Sequence, residues 1–218
     1  TLGAEAQLDE VNVVANIVQE RKTPVAVSTL DKKEIIEELG SQDLPMILNS
    51  KPGVHATQQG GGDGDARITI RGFDQRNVGM MIDGVPVNDM ENGWVYWSNW
   101  FGLDAITQQI QVQRGLGATK LAMPSVGGTM NIITDNAFGK QEVKLQQEFG
   151  SGMFTRSSIS YKSGTLKNGW GVVLNASYKQ GNGWVDGLFT QGGFYYAKIQ
   201  KKFKNHVLSL SAFGAPQQ

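Results

Sequence analysis

The feature that most constrains the fold is a run of alternating sequence in the last third of the chain. Apolar and polar residues take turns there, which is the period of a β-strand with two unlike faces. Short connections near residues 167–169 and 204–205 alternate with a longer, glycine-rich connection around residues 181–193. The pattern predicts five strands, at residues 141–149, 155–163, 170–179, 195–203 and 207–214.

Long alternating strands with aromatic ends and unequal turns are typical of a transmembrane β-barrel, although a soluble β-sandwich shows similar alternation. Five strands cannot close such a barrel, because barrels with a plugged lumen have about 22. An apolar strand set with a free edge is unstable in lipid and in water. We therefore expect the chain to be part of a longer protein.

Composition excludes several classes of function. Twenty basic and 20 acidic residues among 218 give zero net charge, so no nucleic-acid-binding surface is expected. The two histidines lie in unrelated segments, cysteine is absent and no Gly-x-Ser-x-Gly motif occurs, so we expect neither an enzyme nor a cofactor. Asp63 and Asp65 lack the spacing of a calcium loop, and no metal site is predicted. No apolar run is long enough for a transmembrane helix. Thr1 opens the chain without a signal peptide, as expected if an exported protein is in its mature or trimmed form.

Residues 66–88 predict a strand, an exposed loop, a second strand and a tight turn. Ile68 and Ile70 alternate with polar neighbours, as in a strand with one buried face. A second apolar run covers residues 78–82 and meets an Asp-Gly pair at residues 83–84, a strong turn signal.

These motifs resemble those of the plug domain of TonB-dependent outer-membrane receptors. The family commonly has Ile-Arg-Gly-Phe followed by an apolar residue and Asp-Gly-Val-Pro. A second signature follows at the family's spacing, with Gln-Val-Gln-Arg-Gly at residues 111–115 and Gly-Gly-Thr-Met-Asn-Ile-Ile-Thr at residues 127–134. Leu116 stands where the family usually has Pro, and Leu121 and Ala122 stand near its usual Tyr-Gly.

The resemblance implies an α+β plug domain, a small mixed sheet with short helices, followed by antiparallel strands of an incomplete transmembrane β-barrel. It divides the chain into a linker with a TonB box at residues 1–22, a plug at residues 23–138 and the first barrel strands at residues 139–218.

Within the plug we expect a first strand at residues 23–27 and two short helices. Asp31 begins the first helix with a capping pattern and Gly40 ends it. The second covers residues 41–48, with Pro45 in its early turn. The apolar face of the first helix is predicted to contain Ile35, Ile36 and Leu39.

An acidic and then β-branched segment near the N-terminus resembles a TonB box, which would add as a strand to a sheet of the TonB protein. A short edge strand is the alternative. Asn12 and Asn16 depart from the commoner Val and Thr. The predicted TonB-binding residues are Asp9, Glu10, Val11, Asn12, Val13, Val14 and Ala15.

Three loops are expected to reach the substrate side, at residues 57–66, 74–77 and 88–100. Residues 92–101 contain five aromatic rings, too many to bury easily in one short loop, so substrate contact and structural packing are both open. The predicted substrate-binding residues are Asp74, Gln75, Arg76, Asn77, Trp94, Tyr96, Trp97 and Trp100.

Arg71 and Arg114 each precede a glycine, and the resemblance implies that they hold the plug to acidic residues of the barrel. Ordinary solvated strand charge is the alternative for both.

The function that the resemblance implies is active transport across the bacterial outer membrane. Its expected partners are TonB, outer-membrane lipid, a transported small molecule, glycan or peptide, and a surface lipoprotein or the remaining receptor. The alternative is a soluble all-β module that binds carbohydrate on Trp94, Tyr96, Trp97 and Trp100. Iron chelate, cobalamin, glycan and peptide all remain open as substrates.

Overall fold

The computed structural model describes residues 26–40, 42–59, 65–115, 125–183, 185–204 and 206–217. The predicted TonB box therefore lies outside the described residues. The first unit, called the plug unit below, ends near residue 138 and contains eight strands in its described part. In chain order these are β1 (Ala26–Asp31), β2 (Val54–Thr57), β3 (Arg67–Ile70), β4 (Phe73–Asp74), β5 (Val78–Ile82), β6 (Val85–Pro86), β7 (Thr107–Arg114) and β8 (Gly128–Thr134).

The plug strands form a five-stranded mixed sheet and a small three-stranded sheet. The larger sheet has the order β1-β7-β8-β5-β6, and the smaller has the order β2-β3-β4. Only the β5–β8 pair is parallel within the described residues, because β6, β7 and β1 all pair antiparallel with their neighbours. The mixed sheet predicted for the plug is thus confirmed.

The predicted turn at Asp83 and Gly84 connects β5 to β6. Both residues have positive φ, 50° and 80°, as a two-residue turn that matches strand twist requires. Ile82 pairs with Val85 across the turn. The segment from residue 66 to residue 86 therefore folds locally as its sequence indicates.

Helix α1 (Lys32–Leu39) begins as predicted, because the Asp31 carboxylate accepts a hydrogen bond from the Glu34 backbone N–H at 2.9 Å. The Glu34 carboxylate pairs with Lys51. Ile35 and Leu39 are buried, but the prediction for Ile36 is wrong, since its side chain is 64% exposed on the other side of the helix.

The second helix differs from the prediction in position and type. It is a 3₁₀ helix, Leu44–Ser50, and it begins after Asp43 with Pro45 in its first turn. No helix in the described part of the chain has the length and apolar content needed to cross a membrane. Further 3₁₀ turns cover Gln75–Asn77, Trp97–Trp100, Leu103–Ile106 and Lys167–Gly169.

One face of the larger plug sheet packs against α1, and the second helix packs against α1 and β2, so that one core joins both plug sheets. This packing stabilises the plug because each fully buried aliphatic side chain contributes about 1.5–3 kcal/mol relative to exposure. The core residues with almost no exposure include Leu30, Leu48, Met80, Ile110, Val112, Met130 and Ile132.

The second unit, called the wall below, is a single antiparallel sheet with the order β13-β12-β11-β10-β9. All five strands overlap the predicted ones. They are β9 (Glu142–Phe149), β10 (Thr155–Lys162), β11 (Trp170–Asn182), β12 (Phe189–Lys202) and β13 (Val207–Gly214).

The long glycine-rich connection predicted around residues 181–193 is wrong, because β11 and β12 continue through most of it. The glycines serve close packing here. A Cβ at Gly181 would lie 3.1–3.2 Å from Phe154, and one at Gly192 would lie 3.3 Å from the ring of Phe101. Glycine in a strand often marks such close approach. A glycine-rich sequence also indicates a loop, so the sequence alone does not distinguish the two.

In the wall, apolar side chains are exposed on the outer face and polar side chains are buried on the inner face. This is the reverse of the pattern in a soluble domain. Outward apolar side chains such as Leu145 and Leu210 are 77% and 72% exposed. Inward side chains such as Lys179 and Lys198 are 3% and 5% exposed, because they face the plug unit. A soluble sandwich would bury the apolar face, so the wall has the pattern of a transmembrane barrel.

Candidate functional site

The structure brings the three predicted loops together on one side of the plug unit. Ser98 Oγ donates to Asp65 Oδ1 at 3.2 Å, which joins the third loop to the first. Gln75 Nε2 donates to the Val95 carbonyl at 3.4 Å, which joins the second loop to the third. Residues 60–64 of the first loop lie outside the described residues.

Asn88, which sequence reasoning did not single out, fixes the third loop to β5. Its Oδ1 accepts from the Met80 N–H at 2.7 Å, and its Nδ2 donates to the carbonyls of Val78 and Gly93 at 3.0 Å each. These bonds satisfy the backbone of a buried strand end and hold the loop at a fixed angle. The Asn directly after the Val-Pro-Val run was the available signal.

Trp94 lies at the centre of the surface that the loops form. The guanidinium carbon of Arg76 lies 4.6 Å from the indole centroid, and that of Arg67 lies 5.3 Å from it. Both distances are within the range of cation–π attraction. Beside Trp94, Tyr96 is 45% exposed and accepts a hydrogen bond from Asn92 Nδ2 at 3.1 Å.

Two predicted substrate-binding residues have buried side chains. Trp97 is 3% exposed and belongs to the core, and Gln75 is 2% exposed. The third loop, residues 88–100, turns inward at its 3₁₀ helix. Trp97 therefore serves structural packing, which was the alternative to substrate contact. Sequence reasoning could not separate Trp97 from Trp94, because both lie in one short run that mixes aromatic and polar residues.

Trp100 packs against the wall. Its ring centroid lies 5.4 Å from that of Phe213 on β13, so this residue braces the plug unit. Asp74 and Asn77 remain exposed at the second loop. The Asp74 carboxylate accepts from the Arg76 backbone N–H at 3.0 Å and so shapes that loop.

Arg156 of the wall forms the first of two buried ionic contacts with the plug unit. It donates to both carboxylate oxygens of Asp104, at 3.1 and 2.6 Å, and also pairs with Glu148 of β9. A further bond runs to the Phe101 carbonyl at 3.0 Å. The Arg156 side chain is 5% exposed, so these partners replace most of its water.

Aromatic packing surrounds this first contact. The rings of Phe101 and Phe194 meet edge to face at 5.9 Å, and Lys179 Nζ lies 4.4 Å from the Phe101 centroid. Gly102 allows the approach, because a Cβ there would lie 2.2 Å from the Phe194 ring.

Lys198 of the wall forms the second buried contact. Its ammonium donates to Asp83 Oδ2 at 3.0 Å and to Thr134 Oγ1 at 2.8 Å. Asp83 also accepts from the Thr134 N–H at 2.8 Å and hydroxyl at 2.6 Å. The Tyr196 hydroxyl lies 3.0 Å from that of Thr134. Asp83 therefore shapes the β5–β6 turn and also anchors the wall.

A third ion pair, within the plug unit, fixes the segment after β8 to α1. Lys32 Nζ lies 2.6 and 2.5 Å from the two carboxylate oxygens of Asp135, which follows β8. Burial lowers the pKa of Lys32 below its ordinary value, although attraction to Asp135 opposes that shift. Among the described residues, no group of three or more His, Cys, Asp or Glu could hold a metal ion.

The profile of the TonB-dependent Receptor Plug Domain matches residues 19–129, just over half of the chain. The chain belongs to this family. The plug unit is therefore a plug domain, and the wall is the start of the barrel that surrounds it.

Two known relatives are similar in sequence to more than half of the chain. The ferric enterobactin receptor of Pseudomonas aeruginosa is 32% identical over 147 residues, which cover 62% of this chain and 20% of the relative. The vitamin B12 transporter BtuB of Vibrio vulnificus is 26% identical over 176 residues, covering 80% of this chain and 28% of that protein.

A solved structure, the ferripyoverdine receptor of the outer membrane of Pseudomonas aeruginosa, aligns with a TM-score of 0.73 and 18% identity. The alignment covers 92% of this chain and 26% of that one, and at this identity it shows the fold alone. The chain thus spans between a fifth and just over a quarter of the length of these relatives.

The two arginines predicted as a latch lie together in the plug domain. A Cβ at Gly53 would lie 3.8 Å from side-chain carbons of both Arg71 and Arg114. Arg114 also donates to the Pro52 carbonyl at 2.5 Å. Within the described part of the chain neither arginine forms an ion pair, so acidic partners on later barrel strands stay a prediction.

The first ionic contact gives a testable prediction for the full-length receptor. Replacing Arg156 by Met should leave the carboxylates of Asp104 and Glu148 facing each other without a cation. The cost should be about 3–5 kcal/mol in the free energy of opening around residues 101–106, measured by amide hydrogen exchange.

Lys33→Met is the matched control, because Lys33 is 80% exposed and its contact with Glu37 is a surface pair. This variant should change the opening energy by less than about 0.5 kcal/mol. Equal exchange in the two variants would show that the Arg156 contact does not hold the plug to the wall.

Proposed function

We propose that this chain is the plug and the first barrel strands of a receptor for TonB-dependent uptake across the bacterial outer membrane. The observation that carries the proposal is the wall, whose polar face packs on the plug through buried ion pairs while its apolar face is exposed. Lipid is the partner that such an outer face fits, because water would not solvate it.

The outward side chains also indicate how the wall meets the bilayer. On β11 they are apolar from Trp170 to Tyr178 and become polar at Gln180, which pairs with Gln191 of β12. The eight steps from Trp170 to Tyr178, at about 3.4 Å each and tilted by about 40°, span roughly 20 Å of height. This approaches the apolar band of about 25 Å found on such barrels.

In the proposed mechanism the plug closes the lumen, and substrate binds to the surface formed by the three loops. The names of the relatives refer to ferric enterobactin and vitamin B12, which supports a small-molecule substrate, while glycan and peptide stay open. Further barrel strands complete the receptor, and a surface lipoprotein is a further expected partner.

TonB is the proposed source of mechanical force. Among the described residues, strand β1 lies at the edge of the larger plug sheet and pairs only with β7, from Ala26 opposite Arg114 to Asp31 opposite Gln109. A pull on the preceding chain would act directly on this edge. Loss of β1 would expose one side of β7 and loosen the Lys32–Asp135 pair, which joins α1 to the segment after β8.

The predicted box gives the test of TonB coupling. Val13→Pro removes a backbone donor and fixes φ, so it should prevent strand addition. We expect substrate uptake by whole cells to fall to the level of a strain without TonB, while substrate binding at the cell surface stays unchanged. Uptake equal to that of the wild type would mean that residues 9–15 are not the box.

Two tryptophans of the same loop test the proposed substrate surface. Trp94→Ala should weaken substrate affinity by about 2 kcal/mol or more if Trp94 is a binding hot spot, with little effect on stability. Trp97→Ala should instead destabilise the plug by about 3–5 kcal/mol, because it opens a cavity in the core.

Trp170→Ala on the outer face of the wall is the control and should leave affinity unchanged. Titration calorimetry and hydrogen exchange on each variant separate the two effects. Unchanged affinity in Trp94→Ala would exclude this ring from substrate binding.

A further inference from the structure

Two arginines share one indole on the plug surface, and neither has an acidic partner. Arg67 comes from β3, Arg76 from the 3₁₀ turn Gln75–Asn77, and both guanidinium groups lie over Trp94. Both residues are exposed, and among the described residues neither forms an ion pair. Packing on a rigid ring limits the freedom of the two side chains, so less entropy is lost when they bind an anion.

The nearby carboxylates are occupied by other donors. Asp74 accepts from the Arg76 backbone N–H, and Asp89 accepts from the backbone N–H groups of Glu91 and Asn92. Asp65 lines the cavity next to Trp94 and accepts from Ser98 Oγ. Arg67 and Asp65 thus line this cavity with opposite charges, and Arg76 places a second guanidinium group over the adjoining Trp94 ring.

Gln75 supplies an independent sign of a ligand in the same cavity. Its side chain is 2% exposed, and its Oε1 is buried without a hydrogen-bond partner. The Nε2 group donates to the Val95 carbonyl, which fixes the orientation of the amide. An acceptor left in this state is costly, and a hydroxyl or N–H of a ligand would satisfy it.

The cavity limits the size of the group that it can hold. Its volume is about 160 Å³, and its lining includes Arg67, Gln75, Trp94 and Tyr96. Pockets that enclose a whole drug-sized ligand run to about 300–1,000 Å³. This one fits a single ring with its substituents, and the rest of a larger substrate would lie outside it.

We propose that this cavity recognises one acidic, hydroxylated ring of the transported substrate. Arg67 and Arg76 donate to its carboxylate, and Gln75 Oε1 accepts from its hydroxyl. Trp94 holds the two guanidinium groups in place. The proposal rests on the proposed function, because it assigns substrate chemistry to the surface formed by the three loops. A sugar acid and an aromatic hydroxy acid share this chemistry.

The test uses the purified full-length receptor in detergent and saturation-transfer NMR. Two pairs of probes differ in the carboxylate: glucuronate with glucose, and salicylate with phenol. We expect at least one acid to bind about tenfold or more tightly than its neutral partner, because guanidinium–carboxylate bonds are charge-assisted. Binding of glucuronate alone would identify a sugar acid, and binding of salicylate alone an aromatic acid.

Variants assign the effect to the cavity. Arg67→Gln and Arg76→Gln should each weaken binding of the acid about tenfold and leave the neutral probe unchanged. Lys33→Gln, an exposed charge on α1, should change neither. The proposal is overturned if no acid binds better than its neutral partner, or if both arginine variants bind the acid as the wild type does.

The outcome is separate from that of TonB coupling, since binding is measured without TonB. A receptor that binds no acid but loses uptake in Val13→Pro would keep the proposed transport function and lose this site. A receptor that binds the acid but transports normally in Val13→Pro would keep the site and lose the predicted box.

Discussion

The structure depends on the pairing of buried charges between the plug and the inner face of the wall. Arg156 and Lys198 are almost fully withdrawn from solvent, and each has a plug carboxylate as its partner. A buried pair of this kind adds little net stability over apolar packing, but losing one partner is costly. The contact therefore defines where the plug sits. Because its groups are polar, water could replace the partners if the plug moved, which an apolar contact would not allow.

This constraint explains why the wall strands alternate as they do. One face must match the charges of the plug, and the other must be apolar to match lipid. The rings of Phe101 and Trp100 fill the space between the polar contacts, and Gly102 lets the plug backbone approach the wall. The wall thus also contacts the loop that carries Trp94, because Trp100 of that loop packs on Phe213.

Much of the fold followed from local sequence signals, and the tertiary contacts did not. The Asp-Gly turn, the capping residue Asp31 and the wall alternation are set by neighbours in sequence. The glycines in β11 and β12 led to the prediction of a loop, because the sequence does not show that a strand passes close to an aromatic ring. Trp94 and Trp97 lie three residues apart, and only the inward turn of the loop makes one exposed and the other buried.

The ionic contacts show the same limit. Sequence motifs drew attention to Arg71 and Arg114, whereas the described contacts use wall cations and the plug acids Asp83 and Asp104. Arg156 is 52 residues from Asp104 and alternates like any polar strand residue, so nothing local marks it as buried. Asp83 was recognised as a turn residue, but its pairing with Lys198 required the packed wall.

The most direct test of the two-faced wall is a measurement of depth at neighbouring positions. The chain has no cysteine, so single spin labels can be placed at Ser158, Ile159 and Gln191 of the full receptor in lipid, provided that the rest of the receptor is also cysteine-free. The label at Ile159 should be accessible to oxygen and shielded from a water-soluble nickel complex. The label at Ser158 should be shielded from both reagents, and the label at Gln191 should be accessible to the nickel complex. Nickel access at Ile159 equal to that at Gln191 would contradict the account, because the outer face would then lie in water.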